Sequence, residues 1–213
     1  MTMRDRNQAG IHLEQVRDHY DRRLKAFGAN PQGVDWGSEQ RQEKRFEELT
    51  AMMPRQERFS LLDMGCGYGA LLDYLKAAGL NADYAGLDIS DEMIAEARRQ
   101  HPDSRFAVGS TIEGTYDHVL ASGIFNVMRA PSRNAWQDYV FATIAAMHAA
   151  SNMGCSFNFL TMHSDEDRKK DDLYYADPGV ILDFCIRNLS RDVHLSHHYG
   201  IWDFTVHVRG GRS

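Results

Sequence analysis

The residues with the clearest chemical meaning lie in Leu61-Leu62-Asp63-Met64-Gly65-Cys66-Gly67-Tyr68-Gly69, a short apolar run that ends in a carboxylate and turns through three alternate glycines. Glycines at such a turn let the backbone approach a bound molecule with no Cβ in the way. Asp63 stands where a cationic, amino-acid-like ligand can be held, and it would repel a pyrophosphate. A second acid, Asp88, ends Tyr84-Ala85-Gly86-Leu87-Asp88-Ile89-Ser90. There it is placed to accept hydrogen bonds from ribose hydroxyls. Gly65, Gly67 and Ala70 also satisfy G-x-G-x-x-G/A, the weaker signature of a dinucleotide fold. Asp88 suits both readings, but Asp63 argues against phosphates on the helix N-terminus.

The elements that must position these residues follow from periodicity and punctuation. Leu13, Val16, Tyr20, Leu24 and Phe27 recur every three or four residues, which predicts a helix closed by Gly28. Residues 29–37 are rich in turn formers. Ser38 can cap a second helix, with Phe46, Leu49 and Met52 or Met53 inward, before Pro54. From Ser60 the chain alternates strand and helix: a strand to Met64, a helix over 70–78 stopped by Gly79, and a strand over 84–89. A helix follows, capped by Ser90, with acids in its first turn and Arg98-Arg99 in its last. Strands are expected over 105–109, 116–122 and 155–161, and a helix presenting Trp136, Val140, Ile144 and Met147. Asp177-Pro178 opens another helix with an N-cap and a proline at its first position. At the end, Trp202, Phe204, Val206 and Val208 alternate with Asp203, Thr205, His207 and Arg209, and a partner strand over 193–199 joins through Gly200. Serial right-handed crossovers closed by an antiparallel hairpin give an α/β fold: a Rossmann-like, mostly parallel sheet with helices on both faces, preceded by N-terminal helices. The expectation is a single domain over 1–213, with a helical cover (1–55) and an α/β core (56–213).

The form D-x-G-x-G-x-G, the acid ending the next strand, and the two later strands together resemble the class I S-adenosylmethionine-dependent methyltransferases. The motifs span residues 60–122, with looser likeness to the C-terminus. The resemblance implies S-adenosyl-L-methionine as cofactor. Asp63 and the loop with Gly65, Cys66, Gly67 and Gly69 would hold its methionine part, Asp88 its ribose, and Ile89 would lie against adenine. Many relatives carry an acid after the glycine equivalent to Gly109; here it is Ser110, so Ser110, Thr111 or a backbone carbonyl would replace it. Ser122 falls on the same rim, and Arg45 or Arg41 could reach the cofactor carboxylate.

Methyl transfer from a sulfonium asks the protein to align nucleophile, methyl and sulfur and to exclude water. No triad is therefore expected, and the catalytic candidates are limited to His163, as a base, and Asn126. Substrate contacts are expected from Phe125 and Asn126, from Tyr20 and Trp36 in the cover, and from Tyr174 and Tyr175. The last two lie in a charged segment, 163–177, that reads as a lid closing with the N-terminal cover.

The 213 residues carry 24 basic and 30 acidic side chains, a net charge of −6. That balance disfavours a nucleic-acid partner. Arg98-Arg99 and Arg168-Lys169-Lys170 read as helix-end and loop charge. Cys66, Cys155 and Cys185 are too scattered for a disulfide frame or zinc site. His194, His197 and His198 divide between the two faces of one strand, so no metal is expected. No run approaches membrane-spanning length, and residues 1–8 lack the apolar stretch of a signal peptide. These features read as a cytoplasmic enzyme, monomer or homodimer, methylating oxygen or nitrogen of a small molecule. The alternatives are a protein or peptide methyltransferase and a non-catalytic module that binds the same cofactor.

Overall fold

The computed structural model describes residues 12–197 and 199–210. His198 and the stretch 1–8 read for a signal peptide lie outside the described residues. In chain order the helices are α1 (Leu13–Phe27), α2 (Glu39–Thr50), α3 (Ala70–Ala77), α4 (Asp91–Gln100), α5 (Arg133–Ala149) and α6 (Pro178–Asn188). The strands are β1 (Phe59–Met64), β2 (Ala82–Asp88), β3 (Arg105–Val108), β4 (Tyr116–Ala121), β5 (Ser151–Thr161), β6 (Tyr175–Ala176), β7 (Val193–His197) and β8 (Asp203–Arg209). A short 3-10 turn, Pro31–Val34, lies between α1 and α2.

Local chemistry sets most of these boundaries. Ser38 accepts from the Arg41 N–H, Ser90 from Met93, Ser132 from Ala135, and Asp177 from Gly179 and Val180, so four helices begin at side-chain caps. Gly79 takes φ +69° just past α3, as a helix stop requires. Met53 faces inward after α2, while Met52 is exposed.

The strands form one sheet in the order β3-β2-β1-β4-β5-β8-β7, with β6 pairing β5 off this path. All pairs are parallel except β5–β8 and β7–β8. Because β1 lies between β2 and β4, the chain order reverses at β1, and a crevice opens beyond its carboxyl end. One face of the sheet packs Leu62, Val119 and Val206 under Trp136, Val140 and Ile144 of α5. The other packs Leu61 and Leu120 with Leu49 of α2, Leu72 and Leu75 of α3, and Ile94 of α4.

The hairpin departs from the amphipathic pattern its alternation suggests. Asp203, Thr205 and His207 are as buried as Phe204, Val206 and Val208. The polar face is covered because α2 lies across β8 and supplies Arg45 to Asp203.

Gly86 of β2 shows how tight the sheet is beside the site. A Cβ there would sit 2.6 Å from Phe106 and 2.8 Å from Cys66 Sγ. Gly86→Ala should therefore destabilise the fold by about 1–3 kcal/mol through overpacking, read as a lowered urea midpoint at unchanged slope.

Candidate active site

A cleft opens at the β1 switch point. Asp63 lies one residue before the end of β1 and is 2 % exposed, with the Tyr84 hydroxyl donating to it at 2.7 Å. The turn that follows runs through Gly65, Gly67 and Gly69, at φ +77°, +53° and +91°. At Gly65 a Cβ would lie 2.2 Å from Ile124 Cγ2, so only glycine lets β1's turn meet the residues after β4. Asp88 ties the turn to α4: its carboxylate accepts from the Gly67 N–H and the Ser90 N–H, each at 2.9 Å. Tyr20 of α1, Val34, Trp36 and α5's Trp136 and Tyr139 complete the wall.

Asp63 and Asp88 are the only charged side chains lining this cleft among the described residues. Burial raises the Asp63 carboxyl to about 7, against the opposing Tyr84 hydrogen bond and with help from the Asp88 charge. Burial also raises Asp88, countered by backbone donors, Ser90 and Gly67 foremost. The Tyr20 hydroxyl is raised by burial and by facing Asp35 and Asp88, so it stays protonated. Ser122 Oγ is buried in the wall without a hydrogen-bond partner. Backbone stripped of Cβ, two carboxylates lacking a cation and an orphan hydroxyl form a cradle that fits a polar, cationic ligand.

The structure brings together Asp63, Gly65, Cys66, Gly67, Asp88, Ile89, Ser110, Ser122, Tyr20 and Trp36 around the cleft. Gly69 stands behind it as the N-cap of α3, and Thr111 is exposed outside its wall.

Several expectations need correction. Arg45 does not line the cleft: its guanidinium is taken up by Asp203 and the Arg41 carbonyl. Phe125 is fully buried and stacks on Phe159 at 4.9 Å, and Asn126 lies behind the wall with its carbonyl accepting from the Tyr174 N–H. Segment 163–177 does not overhang the site. Tyr175 is drawn into the sheet as β6, and buried Tyr174 packs beside Phe159 under Arg133. His163 is exposed, its ring 5.8 Å from His197, and no histidine lines the cleft among the described residues. The apolar character of Tyr174 and Tyr175 is what the charged neighbours concealed.

Other wall residues escape a sequence reading. Gln42, Phe46, Tyr68, Met93, Ile124, Trp136 and Tyr139 look like ordinary helix or turn positions, with Phe46 and Trp136 standing out only as inward-facing core. A signal for Tyr139 exists, since it sits one turn from Trp136 on the same helix face.

A mostly parallel sheet with a glycine cradle and two acids at its switch point defines a nucleoside-binding α/β enzyme. A family model described as a methyltransferase domain matches residues 62–150. A Mycobacterium tuberculosis protein named as a methyltransferase, its acceptor unstated, is 45 % identical over 154 residues, covering 71 % of this chain and 93 % of that protein. A malonyl-[acyl-carrier protein] O-methyltransferase of Pectobacterium atrosepticum is 30 % identical over 54 % of this chain, which spans 44 % of that relative's length. The crystal structure of magnesium protoporphyrin IX methyltransferase from Synechocystis PCC 6803, with bound S-adenosylhomocysteine, shares the fold at a TM-score of 0.67 and 14 % identity, covering 94 % of this chain and all of that one. The chain belongs to the class I S-adenosylmethionine-dependent methyltransferases, and S-adenosylmethionine is its cofactor.

Two outcomes test the cradle. Because the folded-state value of Asp63 exceeds its ordinary 3.8, the stability it contributes is full at low pH and is lost as pH rises through about 7. Asp63→Asn should flatten that part of the stability–pH profile, measured by urea unfolding between pH 4 and 8. Gly67→Val should cost some stability, because φ +53° strains a residue with a side chain, yet leave a folded protein, since a Cβ there meets only Val34 at 3.5 Å and Met93 at 3.9 Å. It should nonetheless abolish cofactor binding, because a branched residue resists φ +53° and fills the turn; normal affinity in calorimetry would show that the loop is merely a turn.

Proposed function

We propose that this methyltransferase acts on oxygen or nitrogen of a small, uncharged acceptor with an apolar or aromatic body. The observation that carries this reading is the cleft wall. Beyond the two carboxylates and the polar Gln42, Ser110 and Ser122 it is built mainly of aromatic and aliphatic side chains such as Tyr20, Trp36, Ile124, Trp136 and Tyr139, with no cation among the described residues. With Asp63 and Asp88 taken up by the cofactor, the wall offers no cation to an acceptor's own carboxylate among the described residues. The relative named for malonyl-[acyl-carrier protein] therefore supports the reaction class but not its acid as the acceptor here.

In this reading Asp63 and the turn from Gly65 to Gly67 would hold the methionine end of the cofactor, Asp63 as the counter-charge to its ammonium. Asp88 accepts from the ribose hydroxyls with lone pairs left over from Gly67 and Ser90. Ile89, Leu87 and Met93 would flank the adenine, and Ser110 would offer it a hydroxyl. The cofactor supplies an electrophilic methyl group on a sulfonium. The chain supplies alignment and dryness: Tyr20, Trp136 and Tyr139 bound the space where an acceptor meets the methyl group. The cavity is about 110 Å³, well below the roughly 300–1,000 Å³ of ordinary ligand sites. That favours outward movement of α1 when ligands enter, followed by closure over them. Three free, scattered cysteines fit a reducing compartment such as the cytoplasm, and among the described residues no helix is long and apolar enough to cross a membrane.

Labelled methyl transfer from S-adenosylmethionine into fractionated metabolite and protein pools tests the acceptor. Label should appear in neutral, organic-extractable small molecules; label confined to protein or to acidic metabolites would overturn the proposal. Asp88→Asn should weaken cofactor binding by about 1.5–3 kcal/mol while leaving kcat at saturation near normal, because ribose contacts are alike in ground and transition states.

A further inference from the structure

Outside the cleft, the guanidinium of Arg45 is held by three hydrogen bonds. Its Nε and Nη2 donate to the two oxygens of Asp203 at 2.8 and 2.9 Å, and its Nη1 donates to the Arg41 carbonyl at 2.9 Å. Arg45 is 5 % and Asp203 1 % exposed, and 158 residues separate them in the chain. A buried ion pair of this kind is a poor stabiliser, because desolvating both charges offsets much of their attraction. Its distinctive product is geometric. The bidentate fork fixes the guanidinium, and the Trp36 ring lies against it, 4.0 Å from Cζ to ring centroid.

Trp36 in turn touches the cleft. Gly123, at φ +73°, has no side chain where the indole sits: a Cβ there would be 2.5 Å from Trp36 Cζ2. From its other side the Gly123 N–H donates to Asn158 Oδ1 at 2.7 Å. The next residue, Ile124, packs into the space left by Gly65. A continuous line of contact thus runs from β8 through α2 and Trp36 to the glycine turn.

We propose that Arg45 and Asp203 are positioning residues for the methyltransferase site: together they hold Trp36 against Gly123 and so set the rim over 122–124 against the glycine turn. This rests on the reading that the cleft holds the cofactor. Lysine cannot replace Arg45, since it offers neither a planar face to the indole nor a two-pronged grip on the carboxylate.

Calorimetric titration with S-adenosylhomocysteine, beside thermal melting of each protein without ligand, tests the proposal. Arg45→Lys should bind about tenfold more weakly, a loss in the range of a desolvated cation–π contact. Trp36→Leu should lose a similar factor, and adding Arg45→Lys to it should cost little more, since the two act through one contact. The double variant Arg45→Met/Asp203→Leu fills the same volume without charge and should melt at or above the wild-type temperature, yet still bind about tenfold more weakly. Wild-type affinity in that stable double variant, or fully additive losses for Trp36→Leu and Arg45→Lys, would overturn the positioning role and leave the pair structural. Failure of the wild-type protein itself to bind S-adenosylhomocysteine would overturn the site reading, and this inference with it.

Discussion

Two carboxylates side by side at the ends of adjacent parallel strands, Asp63 buried and Asp88 half-buried, are the constraint around which this structure is arranged. Parallel pairing sets Asp63 opposite Gly86, two residues before Asp88, so both acids reach the same crevice. Neither meets a cationic side chain there, and both are held by hydrogen bonds instead, Asp63 by Tyr84 and Asp88 by two backbone N–H groups. Such an arrangement is costly in an empty cleft and favourable around a cationic nucleoside. Stability and ligand affinity therefore pull on the same groups in opposite directions.

The glycines follow from that constraint. Gly65 and Gly86 are needed because Ile124, Cys66 and Phe106 already fill the space beside the acids, and Gly123 is needed because Trp36 does. The covering elements are then recruited from both ends of the chain. Before the first strand come α1, with Tyr20, and the turn carrying Trp36; from the last strand comes Asp203, which anchors α2 through Arg45. Segment 163–177 takes no part, because β5 runs past the end of β4 and leaves Leu160 and Thr161 open for Tyr175 and Ala176 to pair with.

What sequence alone determined were the features with local causes. Helix starts follow from Ser38, Ser90 and Asp177, each of which caps its own chain a few residues on. Strand positions follow from apolar runs between turn residues. The cradle was legible because Asp63, the alternating glycines and Asp88 carry their meaning in spacing, and a strand that ends in a turn must deliver them to the same edge. The tertiary structure alone decided which side chains face the cleft. Arg45 looked like a free cation within reach of a ligand, but its partner lies 158 residues away and no local pattern announces it. Tyr174 and Tyr175 sat among charges and read as a lid until an unpaired strand edge drew them inside. Trp136 and Tyr139 looked like core alone, because a helix face gives its period but not the point at which the sheet beneath it opens. Pairings across distant segments depend on where the sheet places its edges and its crevice, and that is settled only when the whole chain packs.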